Sequence, residues 1–131
     1  FIDLDWFKPV NDQYGHAAGD LCLREVAQAL SAQLRPGDVL GRYGGEEFLV
    51  VLPGSDAAAA RVLAERLRQT IERRVIEWEG RRIPVTASIG LAGLRDGDAD
   101  LRTLLARADK ALYQAKREGR NCVRASSAYG D

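Results

Sequence analysis

Carboxylates and glycines occur together in the segment VLGRYGGEEFLVVLP, residues 39–53. Two apolar runs flank Gly44 and Gly45, which is typical of a β-hairpin, and Glu46 and Glu47 follow the glycines directly. Neighbouring side chains on a strand face opposite sides of the sheet, so one glutamate can face a ligand while the other flanks it or is solvated. Taken alone, two adjacent glutamates are more typical of a charged surface turn.

A second pair of carboxylates lies at the start of the chain, in FIDLDWFK. Asp3 and Asp5 alternate with apolar residues, which predicts that both lie on one face at the end of a buried strand. A buried, unpaired carboxylate costs free energy, and a hard divalent cation removes that cost. Mg²⁺ is usually held by one or two carboxylates together with substrate phosphates. If the hairpin lies beside this strand, Asp3, Glu46 and Glu47 converge on such an ion.

The two glycines of the hairpin fit the same chemistry. Without Cβ atoms, Gly44 and Gly45 let a polyphosphate or a sugar approach the backbone closely. Plain turn geometry is the alternative explanation, and it is compatible with the first. These residues together indicate metal-dependent phosphoryl or nucleotidyl transfer.

Composition limits the classes of partner. Nineteen basic and nineteen acidic side chains balance, so no overall field favours a nucleic-acid polymer or a membrane surface. No apolar run approaches the ~20 residues of a membrane span, and the sequence leads us to expect no signal peptide. Cys22 and Cys122 form no metal-ligand cluster and no disulfide framework, which indicates a reduced, cytoplasmic location.

The elements that must position these residues follow from periodicity and turn signals. The patterns predict strands over residues 1–4, 39–43, 48–52, 81–93 and 121–125, the fourth entered through a turn at residues 79–80. They predict a helical turn over residues 5–14, a helix capped by Asp20 that runs to about residue 34, and helices over 56–75 and 101–117, the last followed by Gly119 as its C-cap.

This alternation predicts an α+β domain, an α/β sandwich with helices against a central sheet. We expect one domain over residues 1–125, incomplete at its N-terminus because the chain opens within a strand, and a frayed tail over residues 126–131.

Four motifs in order carry a resemblance to a known family. The segments FIDLDWFKPVNDQYGHAAGD, RYGGEEF, VTASIGLA and ADKALYQAKREGRN resemble those of the GGDEF family, the bacterial diguanylate cyclases. The resemblance covers nearly the whole chain and lacks only the N-terminal segment of the family. It implies the palm fold of polymerases and class III nucleotidyl cyclases, a mostly antiparallel central sheet surrounded by helices, with the GGEEF motif on a β-hairpin.

The resemblance also implies a reaction. Members condense two GTP into cyclic di-GMP and release two pyrophosphates, with Mg²⁺ (or Mn²⁺) as cofactor. Each GTP lies on one domain, so two domains must face each other as a homodimer. By resemblance, Asp3, Glu46 and Glu47 are the catalytic and metal-binding carboxylates, and the backbone carbonyl of Leu4 is a further metal ligand. Glu46 stands where the family name has Asp, an active variant, and is also the base toward the ribose 3′-hydroxyl.

The substrate-binding residues are carried over in the same way. Asn11 and Asp20 match the pair that reads the guanine edge, since a carboxylate accepts from the N1–H and exocyclic amine of guanine. Without the resemblance, Asn11 is only the end of a helical turn and Asp20 only an N-cap.

The remaining substrate contacts concern phosphates. Phe7 and Lys8 match positions whose backbone amides touch phosphates, beside Gly44 and Gly45. The resemblance assigns the triphosphate charge to two cations near a helix end, Lys116 and Arg120. Without it, these two cations are a solvated face that favours the helix dipole.

A further motif lies before the hairpin. Arg35 and Asp38 form an Arg-x-x-Asp pattern, which in the family marks the inhibitory site for the product c-di-GMP, and Arg66 is a candidate to complete it. A guanidinium suits a phosphate and the guanine Hoogsteen edge. The alternative is an ordinary polar Pro-Gly turn.

Two other functions compete with the diguanylate cyclase. One is a degenerate domain that binds GTP or c-di-GMP as a sensor, and the intact tip of residues 44–47 argues against it. The other is a different nucleotidyl cyclase or polymerase palm, against which Asn11 and Asp20 argue because they specify guanine.

Overall fold

The computed structural model describes residues 1–94 and 100–126. Residues 127–131, most of the predicted tail, lie outside this described part. The described elements, in chain order, are β1 (Ile2–Leu4), α1 (Phe7–Tyr14), α2 (His16–Gln33), β2 (Val39–Arg42), β3 (Glu47–Val51), α3 (Ala57–Arg73), β4 (Glu77–Trp78), β5 (Arg81–Arg82), β6 (Ala87–Leu91), α4 (Leu101–Arg117) and β7 (Val123–Ala125).

A five-stranded sheet of order β2-β3-β1-β6-β7 forms the centre of the domain. β1 pairs antiparallel with β3 on one side and with β6 on the other, and β2 pairs antiparallel with β3. β7 runs parallel to β6. The predicted α+β sandwich with a mostly antiparallel central sheet is therefore confirmed.

Alternation along β1 divides the core between the two faces of the sheet. Ile2 and Leu4 belong to the larger core, which includes buried apolar side chains from α1, α2 and α3. Phe1 lies on the opposite face and packs with Ala108 and Leu112 of α4. A strand buried on both faces is apolar throughout, so Asp3, which is also buried, is the exception that needs an explanation.

The start of α2 differs from the prediction. Asp20 was expected to cap this helix, but α2 begins at His16 and Asp20 lies inside it. Ala18 is fully buried there, so packing favours an earlier start than the capping signal indicated. Gly15, with a φ of 93°, separates α1 from α2 without a side-chain cap.

The predicted strand over residues 81–93 is also wrong in part. Arg81–Arg82 pairs with Glu77–Trp78 in a separate two-stranded sheet, and the strand of the central sheet is Ala87–Leu91. Pro84 lies between them and has no N–H to donate to a ladder. The predicted turn is confirmed, because Glu79 and Gly80 both have positive φ between β4 and β5.

The two long helices that follow are close to their predicted bounds. Asp56 and Asp100 cap α3 and α4, and each accepts a hydrogen bond from the backbone N–H three residues later. Gly119 follows the end of α4 with a positive φ, and the N–H of Arg120 donates to the carbonyl of Ala115, as in a Schellman ending. Within the described ranges, no helix combines the length and apolar character needed to cross a bilayer.

Candidate functional site

The register of the sheet places two carboxylates side by side. Asp3 on β1 lies directly opposite Glu47 on β3. Residues paired in this way point their side chains to the same face, here the face that α4 covers. Burial raises the pKa of the Glu47 carboxyl, and the charge of Asp3 raises it further. Two carboxylates that repel each other at a partly buried position favour the binding of a cation between them.

α4 brings one cation to this pair. The Nζ of Lys116 donates to Oδ2 of Asp3 at 2.7 Å, and two-thirds of the Lys116 side chain is covered. The alternative explanation of Lys116 as part of a solvated face is therefore wrong. Its charge lowers the pKa of Glu47 and offsets part of the repulsion from Asp3.

The oxygen donors at this site suit a hard divalent cation whose remaining ligands come from the substrate. No group of three or more His, Cys, Asp or Glu side chains in residues 1–94 and 100–126 is arranged to enclose a metal ion. Two carboxylates are nevertheless what Mg²⁺ typically takes from a protein when phosphates and waters supply the other ligands. Leu4 lies at the same place, because its N–H donates to the carbonyl of Glu46 at 3.1 Å.

Glu46 comes just before β3 and is half-buried. Among the described residues, no hydrogen bond or ion pair engages its carboxylate, and its charge contributes to the raised pKa of Glu47. Its carboxylate is therefore available to contact a bound molecule.

The two glycines of the hairpin have different roles, and neither is needed for an unusual backbone. Neither Gly44 nor Gly45 has a positive φ. A Cβ on Gly44 would lie 2.7 Å from Oε1 of Glu47, so the missing side chain makes room for that carboxylate. Gly45 has no atom within 4 Å of the equivalent position, so its backbone is open to an approaching ligand. The guanidinium of Arg42 donates to the carbonyls of both glycines and holds the loop.

Asn11 and Asp20 come together at the α1–α2 corner. A Cβ on Gly19 would overlap Oδ1 of Asn11, which shows that the Asn11 side chain lies against α2 one residue before Asp20. Asp20 also lines a cavity of about 490 Å³ between α2 and the β2–β3 hairpin, with Arg42 and Phe48 on its other wall. Both predicted guanine contacts are thus at one corner beside the hairpin.

The predicted phosphate contacts lie at the ends of two helices. Phe7 and Lys8 are the first residues of α1, where backbone N–H groups lack partners within the helix. The Lys8 side chain forms an exposed ion pair with Asp12, which contributes little. Arg120 lies just beyond α4, and its guanidinium stacks 4.1 Å from the centroid of the Trp6 ring.

The predicted inhibitory motif forms its own ion pair. Nε of Arg35 donates to Oδ1 of Asp38 at 3.2 Å, and the other end of the guanidinium donates to the carbonyl of Pro53 and to Oγ of Ser55. The Asp38 side chain is 2% exposed, whereas that of Arg35 is 57% exposed. Arg66 is exposed on α3, and no hydrogen bond or ion pair of the described residues joins it to this pair.

Sequence reasoning missed the role of Asp5. It is buried and accepts hydrogen bonds from Oγ of Ser88 at 2.7 Å, from Oγ1 of Thr86 at 2.8 Å and from the N–H of Asn121 at 3.0 Å. Ser88 lies on β6, Thr86 directly before that strand and Asn121 in the turn after α4, so all three partners are far away in sequence. The alternation in FIDLDWFK indicated its face, but the partners follow only from the tertiary fold.

The chain is similar to known proteins over nearly its whole length. Residues 1–122 match the family described as "Diguanylate cyclase, GGDEF domain". Diguanylate cyclase A of Treponema denticola is 47% identical over 122 residues, which are 93% of this chain and 33% of that protein. Diguanylate cyclase DgcP of Pseudomonas aeruginosa is 42% identical over 120 residues, 92% of this chain and 18% of that protein. The chain thus spans a third or less of the length of these curated relatives.

Solved structures agree in fold. The GGDEF domain of DgcB from Caulobacter crescentus, solved in complex with c-di-GMP, superposes with a TM-score of 0.92 at 34% identity over 97% of this chain and 75% of that chain. The active GGEEF domain of a diguanylate cyclase from Vibrio cholerae gives a TM-score of 0.85 at 38% identity over 95% of this chain and 79% of that chain.

Proposed function

The chain belongs to the GGDEF family of diguanylate cyclase domains, and we propose from this membership and from its site that it condenses two GTP into cyclic di-GMP and two pyrophosphates. The observation that carries the proposal is the opposed pair Asp3 and Glu47 under the glycines of the hairpin. A catalytically inactive domain has no need to maintain two like charges at a costly position.

Asp3, Glu47, Glu46 and the carbonyl of Leu4 are the residues that would hold Mg²⁺ or Mn²⁺. When bound, the ion neutralises charge that develops on the phosphates and lowers the pKa of the ribose 3′-hydroxyl. The fit rests on the two carboxylates and on the ammonium of Lys116, which already brings positive charge to Asp3. Lys116 also lies where it can neutralise a phosphate oxygen once an ion takes over the charge of Asp3.

Guanine recognition is assigned to the corner of α1 and α2. Asp20, with its acceptor oxygens, would take the N1–H and the exocyclic amine of guanine, and Asn11 would bind the same edge. The position of Asn11 against Gly19 supports this assignment, because it holds the amide next to Asp20. Adenine offers no N1–H, so the pair favours GTP over ATP.

The phosphates would lie between the N-terminus of α1 and the end of α4. The N–H groups of Phe7 and Lys8 are suited to bind an anion, and the backbone at Gly45 is open to one. Arg120 supplies positive charge. In the reaction, Glu46 accepts the proton of the ribose 3′-hydroxyl. The 3′-oxygen then attacks the α-phosphorus of the GTP on the facing domain, and pyrophosphate leaves.

Two copies of the domain are required, because each holds one GTP and each new phosphodiester joins nucleotides on different copies. The product would inhibit through Arg35 and Asp38, with Arg66 as a further contact. The exposed guanidinium of Arg35 supports this role. The cysteine pattern supports a cytoplasmic location, as part of a larger protein.

The test is incubation of the full-length protein with GTP and Mg²⁺, with the products separated by chromatography. We expect c-di-GMP and pyrophosphate from the wild type, and none from Glu46→Ala or Glu47→Ala with the fold retained. Retained turnover in either variant overturns the metal and base assignments. GTP binding without any product from the wild type would instead support the alternative function, a nucleotide sensor.

A further inference from the structure

Three residues with an uncommon backbone meet at one point of the molecule. Trp6, Arg120 and Asn121 have φ values of 59°, 63° and 45°, in the left-handed region that non-glycine residues rarely adopt. Such residues persist only where surrounding contacts hold them, and they concentrate at functional sites. Trp6 lies in the junction between β1 and α1, whereas Arg120 and Asn121 form the turn between α4 and β7.

Two contacts join this junction to this turn. The guanidinium of Arg120 stacks on the Trp6 ring, with Cζ at 4.1 Å from the ring centroid. The N–H of Asn121 donates to Oδ2 of Asp5 at 3.0 Å. Two neighbouring residues of one segment therefore hold two neighbouring residues of the other.

The Asp5 contact is rigid. Asp5 is 5% exposed, and the hydroxyls of Thr86, just before β6, and of Ser88 on β6 donate to its carboxylate as well. Since a buried carboxylate with several donors is held firmly, it locates the backbone of Asn121 relative to the sheet. The Trp6 contact is different, because this residue is 62% exposed and so contributes little to the core. Exposure of a large aromatic ring in a strained backbone requires another explanation.

We propose that Asp5 and Trp6 act as positioning residues for Arg120. Asp5 holds the turn, and Trp6 covers one face of the guanidinium so that its N–H edge remains available to an anion. Arg120 then lies between the N-terminus of α1, directly after Trp6, and Lys116, whose carbonyl it contacts at 3.5 Å. The inference rests on the proposed function, since the anion is the triphosphate of GTP.

The stack matters because a free arginine side chain loses rotamer freedom when it binds. A guanidinium already held over an indole ring loses less rotamer freedom, so binding is tighter with no additional contact to the ligand. Removal of the ring should therefore weaken the binding of GTP and leave the chemical step unchanged.

The experiment compares Trp6→Ala and Trp6→Phe in the full-length protein. We expect Trp6→Ala to raise the Kd and KM for GTP about three- to tenfold with kcat unchanged, and Trp6→Phe to restore most of the loss. Trp6→Gly is the second variant, because glycine adopts the left-handed backbone freely and removes the ring alone. It should show the same loss.

A double-mutant cycle tests whether Trp6 acts through Arg120. In an Arg120→Ala background, Trp6→Ala should have no further effect on GTP affinity. An equal loss in both backgrounds overturns the proposal. Tyr113→Ala is the matched control, since Tyr113 is similarly exposed and Arg117 lies 5.9 Å above its ring. It should leave GTP affinity unchanged.

Tryptophan fluorescence gives a readout that needs no nucleotide. The chain has two tryptophans, and Trp6→Phe reports the emission of Trp78 alone. Arg120→Ala should change the Trp6 emission, whereas identical spectra overturn the stack. If the wild type binds no GTP, the proposed function fails and the role of the stack at a triphosphate fails with it. If the wild type binds GTP and Trp6→Ala binds it equally well, only this inference is wrong.

Discussion

At the scale of single residues, the repulsion between the carboxylates of Asp3 and Glu47 lowers the free energy of unfolding. Burial of the Glu47 carboxylate and the like charge of Asp3 directly opposite it are both destabilising, and together they raise the pKa of Glu47. The domain is therefore less stable than a variant without the two charges would be. The proposed metal site accounts for a carboxylate at this position.

Replacement of the charge at Glu47 should therefore stabilise the protein without metal. A carboxyl group whose pKa is raised by folding holds its proton more tightly when folded. Stability thus falls as pH rises from the usual 4.5 of Glu47 through its raised value. Glu47→Gln does not titrate, so it should unfold at higher urea concentration than the wild type at neutral pH. The difference in urea midpoint between Glu47→Gln and the wild type should shrink as the pH falls through this range, and it should vanish below the range.

The measurement is the urea midpoint at a series of pH values in the presence of a chelator. Glu77→Gln, exposed on β4, is the comparison and should show no such gain. Addition of Mg²⁺ should then stabilise the wild type more than Glu47→Gln. A stability loss in Glu47→Gln at neutral pH would contradict the repulsion that the register implies.

Residues with local signals could be predicted, and those with distant partners could not. Alternation and the hairpin together indicated that Asp3 and Glu47 meet, because both signals lie within short segments. Arg68 has no local signal of a tertiary contact, yet it is largely covered and donates to Oδ1 of Asn121, 53 positions away, at 2.8 Å. No local pattern contains that pairing, so only the tertiary structure reveals it.

At the scale of elements, α4 and β6 are packed backbone against backbone. A Cβ on Gly90 would lie 2.1 Å from the N of Leu112 and 2.4 Å from the carbonyl of Ala108. Helix backbone cannot yield as a side chain can, so this glycine sets the distance of α4 from the sheet. Lys116 on α4 donates to Asp3, so the distance of this helix from the sheet also sets the position of Lys116 in the site.

Gly90→Ala should accordingly displace α4. We expect a loss of about 3 kcal/mol or more in the free energy of unfolding, because the added methyl overpacks a rigid contact. Gly41→Ala on β2 is the matched variant, since a Cβ there meets no atom within 4 Å. Urea denaturation measures both, and similar stabilities for the two variants would contradict the close approach.

The loop elements around Arg35 permit a test of the inhibitory motif. Arg35 ties the turn before β2 to the loop after β3 through Pro53 and Ser55, but these contacts are exposed and contribute little to stability. Arg35→Ala should therefore fold, keep its activity and lose inhibition by c-di-GMP. Initial rates with increasing product measure this, with Arg61→Ala on the exposed side of α3 as the control. Inhibition of unchanged potency in Arg35→Ala would contradict the assignment.

Helices and strands could be predicted where a long stretch of sequence keeps one periodicity. Their predicted limits were wrong where packing outweighs local signals. The pattern of α4 predicted its bounds because the apolar spacing is long and Gly119 marks the end of the helix. The start of α2 was missed because Ala18 gains burial ahead of the capping signal at Asp20. The run over residues 81–93 was read as one strand although Pro84 interrupts it, because its apolar pattern continues across the proline.

At the scale of the whole molecule, the proposed reaction needs two copies of this domain, each with one GTP. Glu46 on each copy accepts the proton from the GTP bound beside it. A pair with one Glu46→Ala copy can therefore form one phosphodiester but not the second. Such a pair should release a linear dinucleotide that keeps its triphosphate, instead of the cyclic product.

Co-expression of wild-type and Glu46→Ala full-length protein in equal amounts tests this stoichiometry. Random pairing leaves about one quarter of the pairs fully wild type, so c-di-GMP formation should fall to that fraction rather than to about one half. The linear dinucleotide should appear alongside it in chromatography. Co-expression with Tyr113→Ala, which removes only an exposed ring on α4, should change neither. A decrease in proportion to the wild-type share, with no linear product, would show that one copy completes both bonds, and the need for facing domains would be refuted.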